Sequence, residues 1–333
     1  MPKSAVSSSL LSRPLGDLLH RLSFSAAALR RLMETIAGSV TASGFARSAW
    51  AGIAGFAFLA FLVTPRAAEI ESEPARDLFG AVSKPSSGSP RPIGFFSKGC
   101  LAGAVPLPKD GEDWQVMRLS RNRFWGMPVL VRTIEHIARD AHRAGWPGLL
   151  IGDMSQPRGG PMKTGHASHQ IGLDVDIWLT PMPSHTLSPA AREEIAAVNV
   201  VSPDRLTVDR AIWTPAHLAL IKAAAEQPET TRVFVNPAIK KELCRTAGSD
   251  RGWMTKVRPY WGHDDHIHIR LACPAGASSC DEQEPPPEGD GCAEKDLAYW
   301  FQPEVLHPIP GKPRPPLPLS ALPEACRSVL LER

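Results

Sequence analysis

Two short segments, Gly-His-Ala-Ser-His-Gln-Ile-Gly-Leu-Asp-Val-Asp at 165–176 and His-Asp-Asp-His-Ile-His at 263–268, hold five histidines and four aspartates in eighteen residues. Imidazole and carboxylate are the nitrogen and oxygen ligands that zinc accepts, and a catalytic zinc takes three of them with one position left open. The pattern is a metal site written in two pieces. Only a fold that brings residues 165–176 beside 263–268 can complete it.

Both pieces carry strand periodicity. Leu173, Val175 and Ile177 alternate with Asp174 and Asp176, and Ile267, Ile269 and Leu271 alternate with His266, His268 and Arg270. A period of two puts the apolar residues on one face and the polar residues on the other. If the two strands pair in one sheet with apolar faces toward the core, a metal can bridge Asp176 to a histidine of the second strand. Around them, apolar spacing after Pro128 predicts a helix over 128–145, and further helices are read over 215–227 and 237–247. Short strands are read at 149–151 and 232–235, with a loop rich in Gly and Pro over 153–160. This mixture indicates an α+β domain.

The rest of the chain sets the context. Residues 48–64 carry no charge and contain the apolar run 56–63, preceded by Arg47 and followed by Ala67 and Ala68. This reads as a secretory signal within a leader, 1–68, with an uncleaved inner-membrane anchor as the alternative. Translation from Met33 would give a leader of more ordinary length, which N-terminal sequencing would test. All six cysteines follow the apolar run, which suits an oxidising compartment; free buried cysteines in a cytoplasmic enzyme are the other reading. None has CxxC spacing, so a thiolate zinc site has no support. Residues 1–68 hold seven of the 37 Lys/Arg and two of the 34 Asp/Glu, so the remainder is close to neutral. That lacks the basic footprint of a nucleic-acid binder. A linker rich in Ser, Pro and charge is read over 69–92, a folded core over 93–280, and a proline-rich tail over 281–333 that wraps the surface in extended form without a core of its own.

A longer ordered series of stretches resembles one family: Gly99-Cys100, Leu150-Ile151-Gly152-Asp153-Met154, the whole of 165–176, Val233-Phe234-Val235-Asn236-Pro237-Ala238-Ile239-Lys240, Lys256-Val257-Arg258-Pro259, His266-Ile267-His268-Ile269-Arg270 and Gly289-Asp290-Gly291-Cys292. The chain is similar to the penicillin-insensitive murein endopeptidases, zinc peptidases grouped with the lysostaphin-type and D-Ala-D-Ala metallopeptidases. The resemblance implies a small antiparallel central sheet with helices and long loops around a zinc cleft, stapled by disulfides. It implies His169, Asp176 and His268 as ligands of one tightly bound zinc, and His266 as general base. It also implies the pairings Cys100 with Cys326, Cys244 with Cys292 and Cys273 with Cys280, which spacing alone leaves open.

His166 and Asp204 match positions of a second, weaker ion site in that family. The residue three beyond Asp204, a histidine in the family pattern, is Thr207 here, so a single zinc is expected, with His166 lining the cleft or holding a weak second ion. Asp174 reads as a hydrogen-bonded or solvated strand residue, and His263, Asp264 and Asp265 receive no role. The implied reaction is hydrolysis of the D-Ala to meso-diaminopimelate cross-bridges of periplasmic peptidoglycan, with zinc activating water and His266 removing or relaying its proton. No HExxH helix is present to supply a glutamate base. A D-Ala-D-Ala dipeptidase or carboxypeptidase of the same superfamily, and a non-catalytic zinc domain that binds cell wall, are the alternatives.

Overall fold

The computed structural model describes residues 70–309 and 315–332. The expected leader, 1–68, lies outside them. Among the described residues no helix is long and apolar enough to cross a membrane. In chain order the strands are β1 (Arg91–Phe95), β2 (Lys98–Ala102), β3 (Val105–Pro106), β4 (Trp114–Val116), β5 (Trp125–Gly126), β6 (Leu149–Ile151), β7 (Asp174–Trp178), β8 (Thr230–Val235), β9 (Val257–Pro259) and β10 (His266–Leu271).

Six of them form the central sheet, in the order β4-β6-β7-β10-β8-β9. The three inner pairings are antiparallel, and the two edge pairings, β4 with β6 and β8 with β9, are parallel. The sheet is therefore larger than the small antiparallel one expected, and mixed. Its parallel edges follow from the connections, because a parallel pair needs a crossover and the helices Pro128–Arg143 and Pro237–Thr246 supply one each. Pro128 opens the first helix at a position where its missing N–H costs nothing, and Asn236 caps the second by accepting a hydrogen bond from the Ala238 N–H.

β7 and β10 lie side by side at the centre. Val175, Ile177, Ile267 and Ile269 are fully buried in one core with Leu130, Ile134 and Ile137 of helix Pro128–Arg143 and Leu220 and Ile221 of helix Pro215–Glu226. The register sets His268 opposite Asp176 and Arg270 opposite Asp174. Residues directly opposite share a face, so the alternation predicted for each strand becomes one shared polar surface.

Two expectations about the ends of the chain are corrected. The stretch read as a linker contains helix Ala75–Gly80, whose Ala75 and Phe79 are buried. Phe79 packs so closely on Gly160 that a Cβ there would stand 2.3 Å from its ring. The tail read as coreless places Leu319, Leu322, Val329 and Leu330 in a second apolar cluster with Ala75, Phe79, Ile93 and Ala102. Serine, proline and charge dominate the first stretch, and proline and acidic residues the second, and they hide a few apolar residues at helical spacing, four apart in the first and within helix Ala325–Leu331 in the second. Disulfides join Cys100 to Cys326 inside this cluster, Cys244 to Cys292, and Cys273 to Cys280.

Lys240, inaccessible to solvent, anchors another part of the tail by donating to the carbonyls of Met254 and Asp290. Burial pushes its ammonium down to about 7, against an ordinary value near 10.5. Between those values the unfolded chain holds a proton that the folded one has shed, so this group makes stability rise with pH across that window. Lys240→Met is expected to flatten that rise in thermal melts taken from pH 7 to 10. An unchanged slope would show that Lys240 keeps its proton when buried.

Candidate metal centre

The loop over 159–172 carries two histidines onto the polar face of the sheet. It turns at Gly165 and Gly172, both with positive φ, and a Cβ at Gly172 would stand 2.5 Å from Leu101. His169 also has a left-handed backbone, φ 66°, which costs about 1–2 kcal/mol for a residue with a side chain. Its main-chain N–H donates to Asp174 Oδ2 at 3.0 Å, a bond that holds the strained turn in place.

Asp176 is the hub. His169 Nε2 lies 3.3 Å, His268 Nδ1 3.7 Å and His266 Nε2 3.9 Å from its Oδ1, while His166 Nδ1 lies 3.4 Å from its Oδ2. Among the described residues, His166, His169 and Asp176 form the group whose candidate ligand atoms all lie within 4.8 Å of one another. His169 Nδ1 and Nε2 and Asp176 Oδ1 are buried without a hydrogen-bond partner. Leaving such an atom unsatisfied costs about 1–3 kcal/mol, and more when it is charged. A cation at Oδ1 would engage this carboxylate and the imidazoles around it, so the residues fit a metal ion, and their nitrogen and oxygen donors suit zinc.

Carboxylates aim the surrounding imidazoles. Asp174, fully buried, accepts from His268 Nε2 at 3.0 Å and from Arg270 Nε at 2.7 Å, which leaves His268 Nδ1 turned toward Asp176. Asp153 accepts from His166 Nε2 at 3.0 Å and Arg123 Nη1 at 2.8 Å. Asp265 holds His266 Nδ1 at 2.5 Å. Such partners fix tautomer and ring orientation.

Electrostatics separate the histidines. Burial lowers His268 to about 4, and the neighbouring Asp174 offsets only part of that, so it is neutral at pH 7 as a ligand must be. For His266 burial also opposes the charge, but Asp176 and Asp265 outweigh it and raise the group to about 9. His266 therefore carries a proton at pH 7 while Asp176 is free to attract it, and a cation held by Asp176 would weaken that attraction and return the imidazole toward its neutral, proton-accepting form. Asp153 is held at about 2, because His166 and the two arginines beside it overcome the penalty of burial.

A family model described as penicillin-insensitive murein endopeptidase matches residues 92–331, most of the chain. The chain belongs to this family. Relatives bearing the same name include one from Haemophilus influenzae, 47% identical over 233 residues covering 69% of this chain and 81% of the relative. Others come from Yersinia pestis, 45% identical over 249 residues (75% and 88%), and Klebsiella pneumoniae, 45% over 252 residues (75% and 90%).

Within this murein endopeptidase framework the structure gathers His166, His169, Asp176, His266 and His268 around one carboxylate. Asp204 is not among them. It sits on an exposed turn, where its carboxylate accepts from Ser202 Oγ and the Leu206 N–H. Sequence gives Asp153 and Asp265 no role and reads Asp174 as a hydrogen-bonded or solvated strand residue; in the structure each orients a histidine of the site. For Asp174 the signal was partial: an acid and an arginine stand on the polar faces of two alternating strands, but only the register of the folded sheet sets them opposite each other. For Asp153 there was none, since nothing in a strand followed by a Gly-rich loop indicates that its carboxylate meets His166.

Proposed function

We propose that the chain is a zinc-dependent endopeptidase that hydrolyses the D-Ala to meso-diaminopimelate cross-bridges of periplasmic peptidoglycan and is insensitive to penicillin. The observation that carries the metal is the set of buried, unsatisfied atoms at His169 and Asp176, and membership of the murein endopeptidase family carries the substrate. His169, Asp176 and His268 would hold the ion. Oδ1 of Asp176 faces both His169 and His268, whereas Oδ2 faces His166, which favours one principal ion on the Oδ1 side and leaves His166 as a wall of the cleft.

Bound there, zinc supplies Lewis acidity toward the scissile carbonyl and the attacking water. His266 moves the proton. With Nδ1 held by Asp265, its Nε2 faces the cleft beside Asp176, placed to take a proton from water and return it to the leaving amine. Because water is the nucleophile, no side chain is offered to a β-lactam for acylation.

Chromatography of purified crosslinked murein treated with the protein and zinc should show dimeric muropeptides converted to monomers, and a chelator should stop the conversion. Release of free D-Ala or a dipeptide instead would mark a carboxypeptidase or dipeptidase. His266→Ala is expected to keep its zinc while the rate falls by about 10²–10⁴. Wild-type turnover in that variant would remove His266 from the proton path.

A further inference from the structure

Two hollows meet at the histidine cluster, and His166 and His266 border both. The larger, about 560 Å³, is walled by Phe234, Tyr260, Trp261 and His263, and its one arginine, Arg270, is committed to Asp174. The smaller, about 280 Å³, is lined by Arg118 and Arg121 together with Trp178, Asp153, Asp176 and Asp265.

The acids of the smaller hollow are already engaged. Asp176 faces the imidazoles and Asp265 holds His266. A single oxygen of Asp153, Oδ2, accepts from Arg121 Nη1, Arg123 Nη1 and His166 Nε2, so one carboxylate is shared between two guanidinium groups. Arg118 donates to the Ile195 carbonyl and lies over the Trp178 ring, both neutral partners. The acid at the margin, Glu193, is bound by the N–H and hydroxyl of Ser120, and its charge also acts on Arg118 and Arg121. Arg121 therefore has no carboxylate to itself where it enters the hollow, since it shares Asp153 with Arg123. Its side chain is 47% exposed, and a guanidinium offers five donors in a fork that matches a carboxylate. Through Asp153 and His166 it stands only two residues from Asp176.

The proposed substrate has a group that suits this position. In a D-Ala to diaminopimelate cross-bridge, the carbon that bears the acylated amine also bears a free carboxylate, immediately beside the scissile nitrogen. We infer that Arg121, supported by Arg118, binds that carboxylate and so places the leaving group in the smaller hollow. The inference rests on the endopeptidase reading above. It assigns the cleft a direction: the acyl side lies along the aromatic wall and the amine side along the arginines.

Two crosslinked muropeptide dimers, identical except that this group is a carboxylate in one and a carboxamide in the other, test it. Wild-type enzyme should cleave the carboxamide dimer with kcat/KM about 10- to 100-fold lower, the scale of one charge-assisted hydrogen-bonded contact. Arg121→Gln should lose a similar factor on the carboxylate dimer and change by less than about threefold on the carboxamide dimer, because the contact is already missing there. Arg121→Lys should recover part of the preference. Equal losses on both dimers, or no loss on either, would overturn the role of Arg121. Failure of the wild type to convert the carboxylate dimer to monomers would overturn the endopeptidase reading itself, a result separable from the first.

Discussion

Replacing His169 with alanine is expected to reduce murein cross-bridge hydrolysis below detection, a loss of more than about 10⁴-fold, since the metal's contribution to the barrier is several kcal/mol and each 1.4 kcal/mol is tenfold in rate. The reason lies in how little else His169 does. Its imidazole is fully buried, makes no hydrogen bond, and points Nε2 at the unsatisfied oxygen of Asp176. A residue with only a packing role would not keep two bare nitrogens in a dry interior. Metal analysis should accompany the assay, with wild-type protein holding one zinc per chain and His169→Ala holding much less. Wild-type turnover in His169→Ala would refute the assignment, and two tightly held ions in the wild type would refute the single-site reading.

Asp174→Ala is expected to be the most destabilising change in the site. The carboxylate lies between His268, Arg270 and the His169 N–H, and removing it leaves the Arg270 guanidinium buried without its counter-charge. Breaking a buried pair from one side costs about 3–5 kcal/mol, which lowers Tm by about 5–20 °C in a domain of this size. Zinc affinity should fall as well, by about 10- to 100-fold, because His268 loses the partner that orients it. Burial works against the charge of Asp174, yet Arg270 and His268 hold its carboxyl well below the ordinary range. Its contribution is therefore complete above the pKa of an unfolded aspartate, near 3.9, and disappears as pH falls toward the folded-state value. Asp174→Asn, which keeps the shape but not the charge, should lie between alanine and wild type. An alanine variant that melts with the wild type would show that Arg270 finds another partner.

The histidine cluster was legible in the sequence to the extent that periodicity could carry it. Alternation at 173–177 and 266–271 puts Asp174 and Asp176 on one face of their strand and His266, His268 and Arg270 on one face of theirs, and β7 and β10 join the two into a single polar surface. Pairing register was not legible, because a strand's own sequence does not say which residue lies opposite. Without it Asp174 reads only as a hydrogen-bonded or solvated strand residue, and its partners His268 and Arg270 are not named. The ends of the chain were misread for a related reason. Composition weighs the many prolines and charged residues, whereas the second apolar cluster depends on a few residues, such as Phe79 and Leu322, that meet only after folding.

That second cluster also sets a timetable. The central sheet is complete once residue 271 has been made, since β10 supplies its last strand. Phe79, Ile93 and Cys100 must wait until Leu322, Cys326 and Val329 emerge, 226 residues after Cys100 in the case of its disulfide partner. A chain emerging N-terminus first can therefore assemble its catalytic face early but can close its first hairpin against the rest of the molecule only after residues 322–329 have followed. Loss of those residues would be felt where the chain begins to fold.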